Sequence, residues 1–180
     1  PYSMDMLPTL LYRDNEIVER LDGDRVGDVT ERMIDDALDF IGANRADPFF
    51  MYFSHTLPHP PINLPSEYEH SDRSLYENAI AYMDEQTGRL IEGIDSNGLA
   101  ENTIIIFSSD NGPMLRDGNT GGLRGRIRDS YEGGIRVPLI ARCPKVVPAN
   151  RTVHTPTIAY DIFPTLAELA DAPMPADRIY

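Results

Sequence analysis

The stretch TIIIFSSDNGP, residues 103–113, decides the fold class of this chain. Its apolar run at 104–107 is too short for a helix and is typical of a strand that is covered on both faces. The residues from Ser108 to Pro113 then end the strand with turn formers. A strand of this kind predicts a sheet inside a layered domain.

Working outward from this stretch, apolar runs alternate with helical patterns. A second buried strand is predicted at 49–53, directly after Pro48, and a proline-rich loop follows at 54–71. Apolar residues at spacings of three and four predict helices. The first predicted helix runs from Asp28 to Gly42, with Asp28 as its N-cap and Glu31 three residues further on. The other two run from Ser74 to Ile94 and from Tyr160 to Ala170. The alternating residues 16–21 and the apolar run 137–141 are further short strands.

This order predicts an α/β fold, with a mostly parallel sheet and helices on both faces, because strands that alternate with helices pair in parallel. Residues 1–27 form an irregular lead-in, and residues 28–180 form the α/β body. A length of 180 residues gives one domain, or one domain and a fragment. Since the chain begins with Pro1 and without a signal-peptide pattern, we expect it to be a piece of a longer protein.

Charge and composition exclude several classes of protein. The chain has 16 Lys and Arg against 29 Asp and Glu, a net charge of −13, which repels nucleic acid and anionic membranes. No run approaches the roughly 20 apolar residues of a transmembrane helix. A single cysteine, Cys143, excludes an internal disulfide and a multi-cysteine zinc site. The sequence carries no signal for a particular oligomeric state.

Two predicted loops carry candidate functional residues, because ligands bind at the carboxyl ends of parallel strands. Asp110 and Asn111 follow the strand at 104–107, and their oxygens suit Ca²⁺ or Mg²⁺, although the same residues are also good turn formers. His59 lies between prolines, where an imidazolium can stabilise an oxyanion or protonate a leaving group. The alternative is a loop histidine in solvent.

A third candidate is the glycine-rich segment at 112–134. It carries Arg116, Arg124, Arg126 and Arg128, and Arg136 follows it. Against the acidic residues 117, 129 and 132, these arginines give a local charge of +2. Such arginines beside glycines can cradle sulfate or phosphate, or lie on a solvated loop. The P-loop, dinucleotide-binding and nucleophile-elbow patterns do not occur in the sequence.

The order of the motifs resembles one family, the formylglycine-dependent sulfatases, which are arylsulfatase-like members of the alkaline phosphatase superfamily. The resemblance covers residues 48–178, and more weakly the preceding stretch. The motifs are PFFMYF with PHP at 48–53 and 58–60, IFSSDNGP at 106–113, YEGGIRVP at 131–138 and YDIFPTL at 160–166.

This resemblance implies an alkaline-phosphatase-like fold that hydrolyses small-molecule or carbohydrate sulfate esters with formylglycine and Ca²⁺, or Mg²⁺. Asp110 and Asn111 are then metal ligands, and His59 contacts the sulfate or the leaving-group oxygen. The family's usual compartments, which are periplasmic, secreted or lysosomal, become the expected localisation.

The chain departs from the family pattern at three places, one of which is that no equivalent of the family's upstream paired aspartates, which supply the other metal ligands, precedes this segment. The nucleophile motif, Cys or Ser followed by x-Pro-x-Arg, is absent, and Cys143 is better interpreted as a small apolar residue beside a strand. Ile127 stands where the family often has a sulfate-binding lysine, so either Arg126 or Arg128 has taken that role or the site is impaired. We therefore expect residues 1–180 to be the later portion of an incomplete sulfatase catalytic domain, inactive alone.

Two alternatives stay open at this point. One is a phosphodiesterase or phosphonate hydrolase of the same superfamily, because the candidate residues do not separate sulfate from phosphate. The other is a non-catalytic sulfatase remnant, which Ile127 and the missing nucleophile motif suggest. A Cys-x-Pro-x-Arg motif elsewhere in the protein would count against the remnant.

Overall fold

The computed structural model describes residues 9–21, 23–114 and 118–177. The chain divides into two compact units, Pro1–Val147 and Pro148–Tyr180. In chain order, the strands and α-helices are β1 Thr9–Arg13, β2 Glu16–Leu21, α1 Val29–Asn44, α2 Leu75–Ser96, β3 Ile105–Ser108, α3 Glu132–Ile135, β4 Leu139–Arg142 and α4 Ile162–Leu169. Short 3-10 helices lie at Gly23–Asp28, Ser66–Tyr68, Ala100–Asn102 and Ala159–Asp161.

The first unit begins with a hairpin. The strand predicted at residues 16–21 is confirmed as β2, and it pairs antiparallel with β1, which the sequence pattern did not predict. Asp14 in the connecting turn has a φ of 55°, a left-handed conformation that Asp tolerates better than most residues.

The two long predicted helices are confirmed as α1 and α2. Ser74 caps α2 with a capping box, in which its Oγ accepts from the Glu77 amide and its own amide donates to the Glu77 carboxylate. Asp28 makes no such bond, because the 3-10 helix at Gly23–Asp28 runs directly into α1. Asp28 therefore occupies the predicted N-cap position of α1, but its side chain makes no capping hydrogen bond.

Helices α1 and α2 pack against each other. Arg89 on α2 donates to Asp35 on α1 at 2.8 Å. Gly93 lets the helices approach closely, because a Cβ at this position would lie 2.1 Å from Cδ2 of Leu38. The loop between the helices adds a core cluster, in which Leu57, Leu64, Ala79 and Tyr82 pack together.

The mostly parallel sheet is not confirmed, because both strand pairs of the described residues are antiparallel. β3 pairs with β4 from Ile105 opposite Arg142 to Ser108 opposite Leu139. Among the described residues between them, the single-turn α3 is the one helix. The chain re-enters from the end where β3 stops, whereas parallel pairing needs a crossover to the other end.

The predicted strand at 49–53 does not form a strand in the structure. A strand requires a neighbour for its backbone N–H and C=O groups, and no strand of the described residues pairs with this segment. Its side chains are also not buried as predicted, since Phe50 is 72% and Tyr52 85% exposed.

The second unit contains α4, which confirms the helix predicted at 160–170. A 3-10 turn at Ala159–Asp161 leads into it, and the Asp161 carboxylate accepts from the Ile158 amide at 2.8 Å. Among the helices of the described residues, none combines the length and apolar character needed to cross a bilayer.

Candidate active site

The first part of the candidate site is the turn at residues 108–113, here called the acidic turn. Asp110 is exposed. The side-chain nitrogen Nδ2 of Asn111 donates to the Gly112 carbonyl at 3.1 Å. This leaves the side-chain oxygen Oδ1 able to accept or to bind a cation. The Ser108 hydroxyl donates to the Pro138 carbonyl at 3.0 Å and ties the start of the turn to the segment before β4.

The second part is the segment at residues 124–134, here called the arginine loop, and it is hydrogen-bonded to the acidic turn. The Gly112 amide donates to the Gly134 carbonyl at 2.9 Å, and the Ile127 amide donates to the Pro113 carbonyl at 3.1 Å. These bonds join the end of the acidic turn, one residue beyond Asn111 and two beyond Asp110, to the arginine loop.

Glycine is needed where these two segments meet. A Cβ at Gly112 would lie 2.0 Å from the Gly133 carbonyl oxygen, and one at Gly134 would lie 2.1 Å from the Asp129 carbonyl oxygen. Backbone atoms cannot move aside as a flexible side chain can. A residue with a side chain at either position would therefore force backbone atoms of this junction apart.

The arginines of the loop separate into two groups. Arg124 lies over the Tyr131 ring, with its guanidinium carbon 3.6 Å from the ring centroid, and donates to the Tyr131 hydroxyl at 2.6 Å. Arg126 and Arg128 are exposed. Arg128 also has a φ of 73°, a sparsely populated conformation for a residue with a side chain, and such conformations cluster at functional sites.

Ile127 and Arg116 also belong to the predicted glycine-rich segment at 112–134. Ile127 lies half-buried between Arg126 and Arg128. Its amide makes the bond to Pro113, so the loop is held there by backbone and not by a side chain. Arg116 lies outside the described residues.

The third part is the segment at residues 54–65, here called the histidine loop. His59 is exposed, and its Nδ1 donates to the Pro60 carbonyl at 2.7 Å, because a carbonyl can only accept. The neutral ring therefore presents Nε2 to solvent. The loop is fixed by Leu57 and Leu64, which are buried in the core cluster against α2.

His55 has a different environment. Its Nε2 lies 3.2 Å from the Thr87 hydroxyl on α2, and its ring packs edge-on against Phe53. Nδ1 is buried with no hydrogen-bond partner. Burial lowers the pKa of His55 from its ordinary value, because the charged form loses hydration.

The sequence did not identify Thr87 as more than part of the helical face it shares with Met83 and Leu90. The one cue in the sequence was that Thr87 is a polar residue at a position of the apolar face of α2.

Cys143 is buried, as the sequence predicted for a small apolar residue, with its Sγ 3.9 Å from the Glu101 carbonyl oxygen.

The donor set of the acidic turn fits a hard divalent cation only in part. A carboxylate and an amide oxygen are ligands that Ca²⁺ and Mg²⁺ prefer. No group of three or more His, Cys, Asp or Glu side chains that could hold a metal occurs within residues 9–21, 23–114 and 118–177. Asp110 and Asn111 can thus form one side of a cation site but not the whole of it.

The comparisons with known proteins define the class. The model of the sulfatase family matches residues 5–172. The chain therefore belongs to the sulfatase family, whose members are sulfuric ester hydrolases.

Particular relatives are similar along most of the chain. Steryl-sulfatase of Mus musculus is 34% identical over 163 residues, which cover 85% of this chain and 26% of the relative. Arylsulfatase H of Canis lupus familiaris is 33% identical over 181 residues, which cover 94% of this chain and 32% of the relative. The chain thus spans between a quarter and a third of the length of these two relatives.

Solved structures give the same result for the fold. PsFucS1 sulfatase from Pseudoalteromonas sp. superposes with a TM-score of 0.82 at 25% identity, covering 87% of this chain and 33% of that one. Ps i-CgsB, solved in complex with k-i-k-neocarrahexaose, has a TM-score of 0.82 at 31% identity and covers 93% of this chain and 38% of that one. The fold is therefore the α/β, alkaline-phosphatase-like fold of sulfatases.

Proposed function

We propose that this chain forms part of the active site of a sulfuric ester hydrolase, to which it supplies two metal ligands, a histidine and two guanidinium groups. The hydrogen-bonded junction between the acidic turn and the arginine loop carries this proposal. The turn that carries the proposed oxygen ligands is hydrogen-bonded there to the loop that carries the exposed arginines, which supports a site for a cation and an anionic sulfate ester.

The metal ion of the proposal is Ca²⁺, with Mg²⁺ as the alternative, at Asp110 and Asn111. A bound cation neutralises charge on the sulfate ester and polarises its oxygens. Ca²⁺ takes about six to eight oxygen ligands, so further ligands must come from outside this pair.

His59 is the proposed proton donor. Its Nδ1 is held by the Pro60 carbonyl, so the exposed Nε2 is the nitrogen that gains and gives the proton. When the bond between sulfur and the alcohol oxygen breaks, Nε2 of the imidazolium transfers its proton to that oxygen and the alcohol leaves.

Arg126 and Arg128 are the proposed sulfate-binding residues. Both are exposed, and they flank Ile127, which has no group that can bind an anion. Guanidinium groups bind planar pairs of sulfate oxygens by bidentate hydrogen bonds. The left-handed backbone of Arg128 supports a functional role at this position.

The remaining proposals concern the complete protein. Residues 1–180 form the later portion of its catalytic domain, with residues 28–180 as the α/β body and a mostly parallel sheet completed by other segments. No Cys- or Ser-x-Pro-x-Arg motif occurs in the 180 residues, so the formylglycine that supplies the nucleophile lies elsewhere and the chain alone is inactive. The substrate is a small-molecule or carbohydrate sulfate ester in a periplasmic, secreted or lysosomal compartment.

The test compares hydrolysis of an aryl sulfate and of an aryl phosphate diester by the complete protein and by residues 1–180 alone. We expect the complete protein to hydrolyse the sulfate faster than the phosphate diester and to lose activity when a calcium chelator is added. We expect the 180-residue chain to hydrolyse neither ester. Preference for the phosphate diester, or turnover by the chain alone, contradicts the proposal.

A matched pair of variants tests the metal ligand in the same protein. Asp110→Ala is expected to weaken Ca²⁺ binding by about tenfold or more, because it removes a carboxylate ligand. Asp39→Ala removes an exposed carboxylate from α1 and should leave Ca²⁺ binding unchanged. Equal affinity in the two variants would remove Asp110 from the proposed site.

A further inference from the structure

His55 differs from His59 in that its contacts run inward. Its Nε2 lies 3.2 Å from the Thr87 hydroxyl, and its ring centroid lies 4.8 Å from that of Phe53, with the rings at 77°. Nδ1 is buried and has no hydrogen-bond partner. The ring is thus oriented by one hydrogen bond and one aromatic contact.

The direction of that hydrogen bond follows from the Thr87 hydroxyl. A hydroxyl has one proton, and Thr87 donates it to the Met83 carbonyl at 2.7 Å. Thr87 must therefore accept from His55, so Nε2 of His55 carries the hydrogen and Nδ1 is an unprotonated acceptor. This defines a single neutral tautomer for His55.

The segment from His55 to His59 is fixed at each of its first three residues. His55 is bound to α2 through Thr87, the Thr56 hydroxyl lies 3.4 Å from the Thr30 hydroxyl on α1, and Leu57 is 6% exposed in the core. The His59 amide then donates to the Thr56 carbonyl at 3.3 Å. The position of His59 is thus set by residues that precede it.

We propose that His55 is a positioning residue for His59, acting through its Nε2–H hydrogen bond to Thr87. The bond orients the His55 backbone, and through Thr56 it sets where the exposed Nε2 of His59 lies. This inference rests on the proposed role of His59 in ester hydrolysis, and it extends the site by two residues that do not touch the substrate.

The test measures how fast diethyl pyrocarbonate modifies each histidine of the complete protein as a function of pH, read by peptide mass spectrometry. The reagent attacks unprotonated imidazole nitrogen, so it reports on exposure and on the proton affinity of each ring. In the wild-type protein we expect rapid modification of His59 and protection of His55. His154, exposed in the second unit, is the internal reference.

Thr87→Val removes the hydroxyl at nearly constant volume, whereas Thr87→Ser keeps it. We expect Thr87→Val to change the modification rate of His59 at a given pH by about three- to tenfold, the range set by the loss of one hydrogen bond. Thr87→Ser should behave as wild type. An unchanged His59 in a folded Thr87→Val protein overturns the proposal.

A second pair of variants decides the question if Thr87→Val does not fold. His55→Gln can place an N–H where Nε2–H lies, whereas the shorter side chain of His55→Asn cannot. We expect wild-type modification of His59 and wild-type kcat in His55→Gln, and a lowered kcat with little change in KM in His55→Asn. Equal behaviour of His59 in both variants overturns the proposal.

The two proposals fail in different ways. If the complete protein has no sulfatase activity but the variants still alter His59 modification, the proposed function fails and the positioning role of His55 stands. If activity is present and His59 modification does not respond to either pair, the positioning role fails and the proposed function stands.

Discussion

Single residues of the histidine loop show how local contacts assign chemistry. His59 donates through Nδ1 to the Pro60 carbonyl, and so presents Nε2 to solvent. His55 donates through Nε2 to Thr87, and so keeps Nδ1 inside the protein. The two rings are four residues apart and have opposite tautomers, and of the two only His59 is exposed.

The burial of His55 predicts a pH dependence of stability. Because burial lowers its pKa below the ordinary value near 6.5, the folded state holds the neutral ring while the unfolded state binds a proton first. The free energy of unfolding should therefore be highest at pH values above that ordinary pKa. It should fall as the pH drops from the ordinary pKa to the lower pKa of the folded state. Denaturant unfolding of the chain at pH values across this window measures it.

His55→Gln is the variant for this prediction, because it keeps a donor for Thr87 and does not titrate. Its free energy of unfolding should change less with pH in this window than that of wild type. His154→Gln, which removes an exposed histidine, should retain the wild-type dependence. A pH dependence that is the same in all three proteins would show that His55 does not titrate on unfolding.

At the scale of elements, α2 is the support on which the histidine loop is built. It carries Thr87, and it buries Ala79 and Tyr82 against Leu57 of the loop. Burial raises the pKa of Tyr82 to about 12, so its hydroxyl stays protonated throughout the physiological range. The histidine loop is thus held against α2 by its buried leucine and by the hydrogen bond of His55.

Two glycines on α2 test this packing. Gly88→Ala meets no atom within 4 Å and should raise the free energy of unfolding by about 1 kcal/mol, the difference in helix propensity. Gly93→Ala places its Cβ 2.1 Å from Cδ2 of Leu38, and displacing a packed side chain costs about 1–3 kcal/mol. Thermal or denaturant unfolding of both variants measures the difference.

The expected order of stability is Gly88→Ala, then wild type, then Gly93→Ala. Both substitutions give the helix the same gain in propensity, so their difference reports only on the contact with α1. If Gly93→Ala were as stable as Gly88→Ala, this result would contradict a close contact between the two helices at Leu38.

The long helices could be predicted from the sequence and the sheet could not. The signals of α2 are local, since its apolar residues recur within one helix and Ser74 with Glu77 marks its start. The pairing of a strand depends on a distant segment, so the run at 49–53 was assigned a burial that the structure does not show. For the same reason the antiparallel return of β4 onto β3 was not predicted.

The candidate site residues Asp110, Asn111 and Arg126 were proposed from their residue types and from the family resemblance. The hydrogen bonds between the segments that carry them were not predicted. The bond between the Ile127 amide and the Pro113 carbonyl involves backbone atoms, which every residue has, so no sequence pattern indicates it. Thr87 was hidden on an otherwise apolar helix face.

At the scale of the whole molecule, the two notable surface features of the described residues are the charge distribution and the exposed apolar side chains. A net charge of −13 repels anions, whereas the arginine loop carries exposed cationic side chains. The side chains of Phe50, Tyr52 and Ile140 are 72%, 85% and 59% exposed. Large apolar side chains on extended segments are typical of surfaces that further chain covers.

The most direct measurement of the central claim is the kcat/KM of the complete protein and its His59→Gln variant on a series of sulfate esters whose leaving groups differ in pKa. If His59 protonates the leaving oxygen, the variant should lose about 10²-fold or more on alkyl esters with basic leaving groups, and much less on nitrophenyl sulfate, whose leaving group needs no proton. His154→Gln should match wild type on every ester. A His59→Gln variant that hydrolyses all the esters at the wild-type rate would contradict the account.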